Sequence, residues 1–92
     1  MVGESVMAGR VVSRVPPDYP NTARLARVQG AVQLGVTIGT DGRVQNIQVI
    51  SGPAMLTKAA LDSVAQWVYQ PFLLNGQPVV VQTTATVNFV LQ

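Results

Sequence analysis

The last stretch of the chain, Val79 to Gln92 (VVVQTTATVNFVLQ), contains no charged residue, no proline and no glycine, and is rich in β-formers. Such a run reads as a long strand. Val79, Val81, Thr83, Ala85, Val87, Phe89 and Leu91 fall on one face, and Gln82, Thr84, Thr86 and Asn88 on the other, so the odd face packs inward. Charges, prolines and bulges are the usual protection of a sheet edge, and this strand has none. If it lies at an edge, its unpaired N–H and C=O groups are a binding site for another strand.

At 92 residues the chain is long enough for one domain, which on folding buries roughly 60% of the surface its unfolded chain exposes. Hydrophobic residues make up 48% and charged residues 11%, a balance that excludes disorder. The longest apolar runs fall far short of the ~20 residues of a membrane span. Residues 1–9 have no signal-peptide pattern and are expected to be a linker remnant or tail, with the domain over 10–92. The absence of cysteine fits either redox compartment. The six basic residues, Arg10, Arg14, Arg24, Arg27, Arg43 and Lys58, are scattered, which argues against a nucleic-acid surface.

Arg10–Val15 is a short strand candidate stopped by Pro16 and Pro17. A helix of nine or ten residues is expected next, with Pro20 in its first turn and Gly30 at its left-handed C-terminal cap. Ala31–Gly39 alternates with Val32, Leu34, Val36 and Ile38 on one face, and Thr40-Asp41-Gly42 turns the chain into a return strand over Arg43–Ile50. There Val44 has the opposite parity to Ile47 and Val49, and a bulge near Gln45-Asn46 reconciles them. Ala54 to about Trp67 has helical spacing, with Leu56, Ala60, Val64 and Trp67 inward and Lys58, Asp62, Ser63 and Gln66 outward. Asn75-Gly76 is a hairpin turn feeding the last strand.

The order β-α-β-β-α-β implies an α+β, two-layer sandwich, with two helices on one face of a three- to four-stranded, mainly antiparallel sheet. The second helix returns the last strand parallel to 43–50, hence antiparallel beside 31–39. That places 31–39 at the centre and leaves 79–91 as an open edge.

Tyr19-Pro20, Ala23-Arg24, Val28 to Gly30, Asp41-Gly42-Arg43-Val44, and Trp67, Tyr69 and Pro71 occur in an order that resembles the C-terminal domain of TonB-type energy transducers, over about residues 10 to 92. The resemblance implies a periplasmic domain, tethered to the inner membrane by an N-terminal segment outside this chain. It would act with a proton-driven motor complex of the ExbB/ExbD type. Its partner would be the TonB box, a short extended segment of outer-membrane transporters, captured by strand addition for active uptake of siderophores or other nutrients. The entry segment Arg14, Val15, Pro16, Pro17, Asp18 and Tyr19 resembles the stretch that lies next to the captured box. The last strand offers Thr84, Thr86, Val87, Asn88, Phe89 and Val90 as further contacts.

TonB-like domains also occur on other membrane proteins, including sensors, and two uncharged edges can pair with each other as a homodimer. Trp67 and Tyr69 read as core aromatics, and Arg24 and Arg27 as solvated helix charges. No enzyme, metal or cofactor chemistry is expected. There is no His or Cys, and the four carboxylates, Glu4, Asp18, Asp41 and Asp62, are spread over tail, turn and helix. An RNA-binding module with this element order would carry stacking aromatics on its central strands. Here the outer face of the central strand offers Gln33, Gly35 and Thr37 instead.

Overall fold

A computed structural model describes residues 2–91. In chain order its elements are α1 (Glu4–Ala8), β1 (Val11–Ser13), α2 (Asn21–Leu25), β2 (Gly30–Ile38), β3 (Val44–Ser51), α3 (Ala54–Val64), β4 (Val68–Tyr69), β5 (Phe72–Leu74), β6 (Gln77–Val79) and β7 (Val81–Phe89). The alternating strand 30–38 has a buried face on one side, so it needs neighbours that bury the same parity. It finds them in the antiparallel order β3-β2-β7. Val32, Leu34, Val36 and Ile38 of β2 and Val81, Thr83, Ala85, Val87 and Phe89 of β7 form the inner face. Ala23 of α2 and Leu56, Ala60 and Val64 of α3 share the buried core with them. The α+β architecture, the central place of β2 and the edge position of β7 match the expectation from sequence. No described helix is long and apolar enough to cross a membrane.

The expected bulge is present. Ile38 pairs with Val44 and Thr37 with Asn46, so Gln45 is the extra residue that lets both Val44 and Ile47 turn toward the core. At the preceding turn the Asp41 carboxylate accepts the Arg43 N–H at 3.0 Å. Gly42 has φ +84° and lies so close to β4 that a Cβ there would sit 1.8 Å from the Tyr69 carbonyl oxygen.

Other elements depart from the sequence reading for reasons of packing. The last strand is interrupted at Val80. Asn75 (φ 52°) and Gly76 (φ 81°) close a two-residue turn, and Val79 pairs with Phe72 in the β5–β6 hairpin. Arg27 (φ 56°), not Gly30, takes the left-handed position after α2. The Val28 N–H bonds the Ala23 carbonyl and the Arg27 N–H the Arg24 carbonyl, which is a Schellman closure, and α2 is only five residues long. α3 ends at Val64, and Ser63 is buried, because its hydroxyl donates to the Val15 carbonyl. β1 pairs with β4 as a separate ribbon. At the N-terminus, Glu4–Ala8 are helical and Met7 is 0% exposed, within the core cluster.

Candidate functional site

In a strand, the N–H and C=O of one residue point to the same neighbour, and successive residues alternate. β7 pairs with β2 from Gly30↔Phe89 to Ile38↔Val81 without a register shift. The Gln82 carbonyl accepts the Val2 N–H at 2.8 Å, so the backbone of Gln82 faces away from β2. With no shift along the strand, Thr84, Thr86 and Asn88 face outward too. The odd residues Val81, Thr83, Ala85, Val87 and Phe89 are therefore those that bond β2. Among the described residues, Val2 is the only one whose backbone bonds this outer edge.

Beside the edge lies a cleft of about 260 Å³, with Thr84, Ala85, Thr86 and Asn88 along one side. Arg14, Trp67 and Tyr69 form its other wall, and Glu4 and Ala8 close one end. The Arg14 guanidinium sits 4.8 Å from the centroid of the Trp67 ring. Trp67 Nε1 donates to the Val15 carbonyl at 3.1 Å, and that carbonyl also accepts the Ser63 hydroxyl, so the segment carrying Arg14 is pinned against the end of α3. Burial pushes the Tyr69 phenol above its usual pKa of 10.0; Arg14 pulls it back and Glu4 adds to the rise. The Thr84 hydroxyl donates to Glu4 Oε1 at 2.9 Å. The cleft thus offers a row of outward backbone groups, one cation and an aromatic wall.

The twelve residues named from sequence fall into separate places. Arg14, Thr84, Thr86 and Asn88 meet at the edge cleft. Val87 and Phe89 are 5% and 2% exposed, and both pair with β2, so their side chains belong to the core. Val15, Pro16, Pro17 and Asp18 line a different groove of about 350 Å³, against Met55, Lys58 and Asp62 on the outer side of α3. Tyr19 donates its hydroxyl to the Val28 carbonyl and sets its ring edge-on to Phe89, 5.5 Å between centroids. Val90 is exposed beyond the strand end, near Tyr19 and Arg24. Gln82 and Glu4 join the edge site only in the folded structure. The even-parity polar run Gln82-Thr84-Thr86 was the available signal for the first; nothing local marks the second.

Residues 15–91 match the family described as Gram-negative bacterial TonB protein C-terminal. Protein TonB of Klebsiella pneumoniae is 35% identical over 71 residues, covering 75% of this chain and 28% of that protein. Protein TonB of Escherichia coli K12 is 37% identical over 70 residues, covering 73% and 29%. The chain therefore spans under a third of the length of these relatives. The solution NMR structure of the Pseudomonas aeruginosa TonB C-terminal domain superposes with a TM-score of 0.72 at 30% identity, covering 90% of this chain and 86% of that one. The Helicobacter pylori TonB C-terminal domain has the same fold, with a TM-score of 0.58 at 22% identity over 80% of this chain and 79% of that one. This chain belongs to the TonB C-terminal domain family.

Proposed function

We propose that this domain is the periplasmic, partner-binding end of a TonB-type energy transducer. In this reading it captures the TonB box of an outer-membrane transporter as a strand added to β7. It relays energy from a proton-driven inner-membrane motor of the ExbB/ExbD type, through a tether on its N-terminal side, to support uptake. The observation that carries the reading is the outer edge of β7: unshifted, uncharged, and facing a cleft with Arg14 at its rim. Strand addition draws its affinity from backbone bonds and its selectivity from side-chain contacts.

Magnitudes say what the cleft must add. Thr84, Thr86 and Asn88 each offer one N–H and one C=O outward, and a backbone bond contributes about 0.5–1.5 kcal/mol net. The sum, about 3–9 kcal/mol, reaches the roughly 8 kcal/mol of micromolar binding only at its upper end, and the cost of ordering the peptide is subtracted from it. Contacts to Arg14, Trp67 and Tyr69 therefore have to supply the difference.

Titration of the domain with synthetic TonB box peptides, followed by backbone amide shifts, tests the proposal. Saturable shifts centred on Thr84, Thr86 and Asn88 support it. Shifts confined to the groove of Pro16, Pro17 and Asp18, or no shifts with any box sequence, contradict it. The same edge groups would serve self-pairing of two copies, and concentration-dependent shifts without peptide would favour that use of β7.

A further inference from the structure

The outer edge of β7 is not free along its whole length. Val2 donates its N–H to the Gln82 carbonyl at 2.8 Å, and Glu4 accepts the Thr84 hydroxyl at 2.9 Å. Between these contacts and β1, Met7 is fully buried, and the chain leaves α1 through a bond from the Arg10 N–H to the Met7 carbonyl at 2.9 Å. A five-residue helix has no stability of its own, and α1 has no side-chain N-cap. It forms because Met7 is seated in the core and Val2 and Glu4 are held by β7. Glu4 and Ala8 also close one end of the cleft where Arg14, Thr84 and Thr86 meet. This segment precedes the family match, which starts at Val15.

We propose that Val2–Ala8 is a built-in cover of the first half of the β7 edge, and that a partner strand must displace it to pair beyond Thr86 toward Gln82. The inference rests on the reading of β7 as the partner site and adds its regulation. The covered and open forms are two states of one molecule. A partner needing the open form binds with an apparent affinity reduced by the open fraction, so a cover closed nine-tenths of the time weakens binding about tenfold. The cover is held by two polar contacts, one buried methionine and the partly buried Val2, few enough to be reversible. Any pull or contact that draws the segment away from β7 raises affinity at the edge without touching the partner-facing residues.

The test uses the whole chain with methyl-labelled methionine and a synthetic TonB box peptide. Three methionines make the Met7 methyl assignable by substitution. The free protein should show Met7 in a buried environment, and saturation with peptide should move its methyl signal to the solvent-exposed position. Val2→Pro removes the N–H that bonds Gln82, and Glu4→Ala removes the acceptor for Thr84. Glu4 is outside the core cluster and Val2 is only partly buried against it, so both should fold. Combined, they should tighten peptide binding about tenfold. Equal affinity in wild type and double variant, or a Met7 methyl that stays buried at saturation, overturns the cover while leaving strand capture intact. Binding by the double variant alone supports the cover. Failure of both proteins to bind any box peptide overturns strand capture, and the cover with it. Met7→Gln is the second variant: it should expose the segment and raise affinity in the same direction, and unchanged affinity in a folded Met7→Gln protein counts against the proposal.

Discussion

The two edges of the three-stranded sheet are built in opposite ways. Along β3 the register with β2 shifts twice, between Thr37 and Ile38 and again between Gln33 and Leu34, leaving Gln45 and Ile50 as extra residues. Along β7 there is no shift from end to end. Bulges bend a strand and break its row of outward groups, so β3 is a poor template even though Val49 and Ile50 are 43% and 56% exposed. β7 stays regular and carries its apolar residues on the buried face, which leaves a polar, uncharged outer row. Backbone regularity, more than exposed hydrophobic surface, thus decides which edge can take a strand.

The strongest perturbation of the β7 side is Trp67→Ala. The ring is buried, backs the edge cleft and carries the bond to Val15. Its removal should cost about 3–5 kcal/mol, most of what a domain this small has. Urea unfolding measures it; undiminished stability with lost peptide binding would make Trp67 a surface anchor and not a core residue.

Deleting Gln45 attacks the comparison from the other edge. It straightens one end of β3 while keeping Val44 and Ile47 inward, so the domain should stay folded at a cost of about 1–2 kcal/mol, within the range of ordinary core adjustments. The regularised edge should then self-associate, seen as a rise in sedimenting mass with concentration. A deletion variant that remains monomeric at all concentrations would weaken the claim that bulges shut this edge.

Thr83 separates the two sides of β7 itself. Its hydroxyl is buried and has no hydrogen-bond partner among the described residues. Thr83→Val replaces an unsatisfied polar group by an isosteric methyl and should stabilise the domain by about 1 kcal/mol. Thermal melts read the gain, and peptide affinity should not change, because Thr83 faces β2. The smallest effect is on pH. Burial raises the Tyr69 phenol in the folded state, so the stability this group contributes is complete below pH 10.0 and is lost as pH rises from 10.0 through the folded value. Melts below and above pH 10.0 should show a steeper alkaline loss for wild type than for Tyr69→Phe; identical slopes would refute it.

What the sequence disclosed was local pattern. The alternations of 31–39 and 81–89 set their buried faces, and the mismatched parity of Val44 pointed to the bulge at Gln45. The break at Val80 leaves no mark in the sequence, because β6 and β7 share one uncharged composition and only the pairing of Val79 with Phe72 divides them. Arg27 takes the cap position in place of Gly30 because α2 closes early, and the backbone bonds of Val28 and Arg27 hold a left-handed non-glycine residue there. Ser63 looks like a surface residue by helical spacing; the carbonyl that draws it inward belongs to Val15, far away in sequence. Met7 and Glu4 are invisible for the same reason. The candidate site was half legible: a free edge could be argued from composition, but its parity needed a contact, Val2 to Gln82, that no sequence pattern encodes.

The central claim is that the even residues of β7 present their backbone to a partner while the odd ones hold the sheet together. Single proline substitutions at Thr84, Ala85, Thr86 and Val87 test it most directly, because proline removes one N–H and leaves the rest of the strand in place. Each variant is assayed by circular dichroism and by titration with a TonB box peptide. Ala85→Pro and Val87→Pro should unfold the domain, having lost bonds to β2. Thr84→Pro and Thr86→Pro should fold, and Thr86→Pro should bind no peptide. An unfolded Thr86→Pro variant, or a folded one that binds as wild type does, would contradict the account.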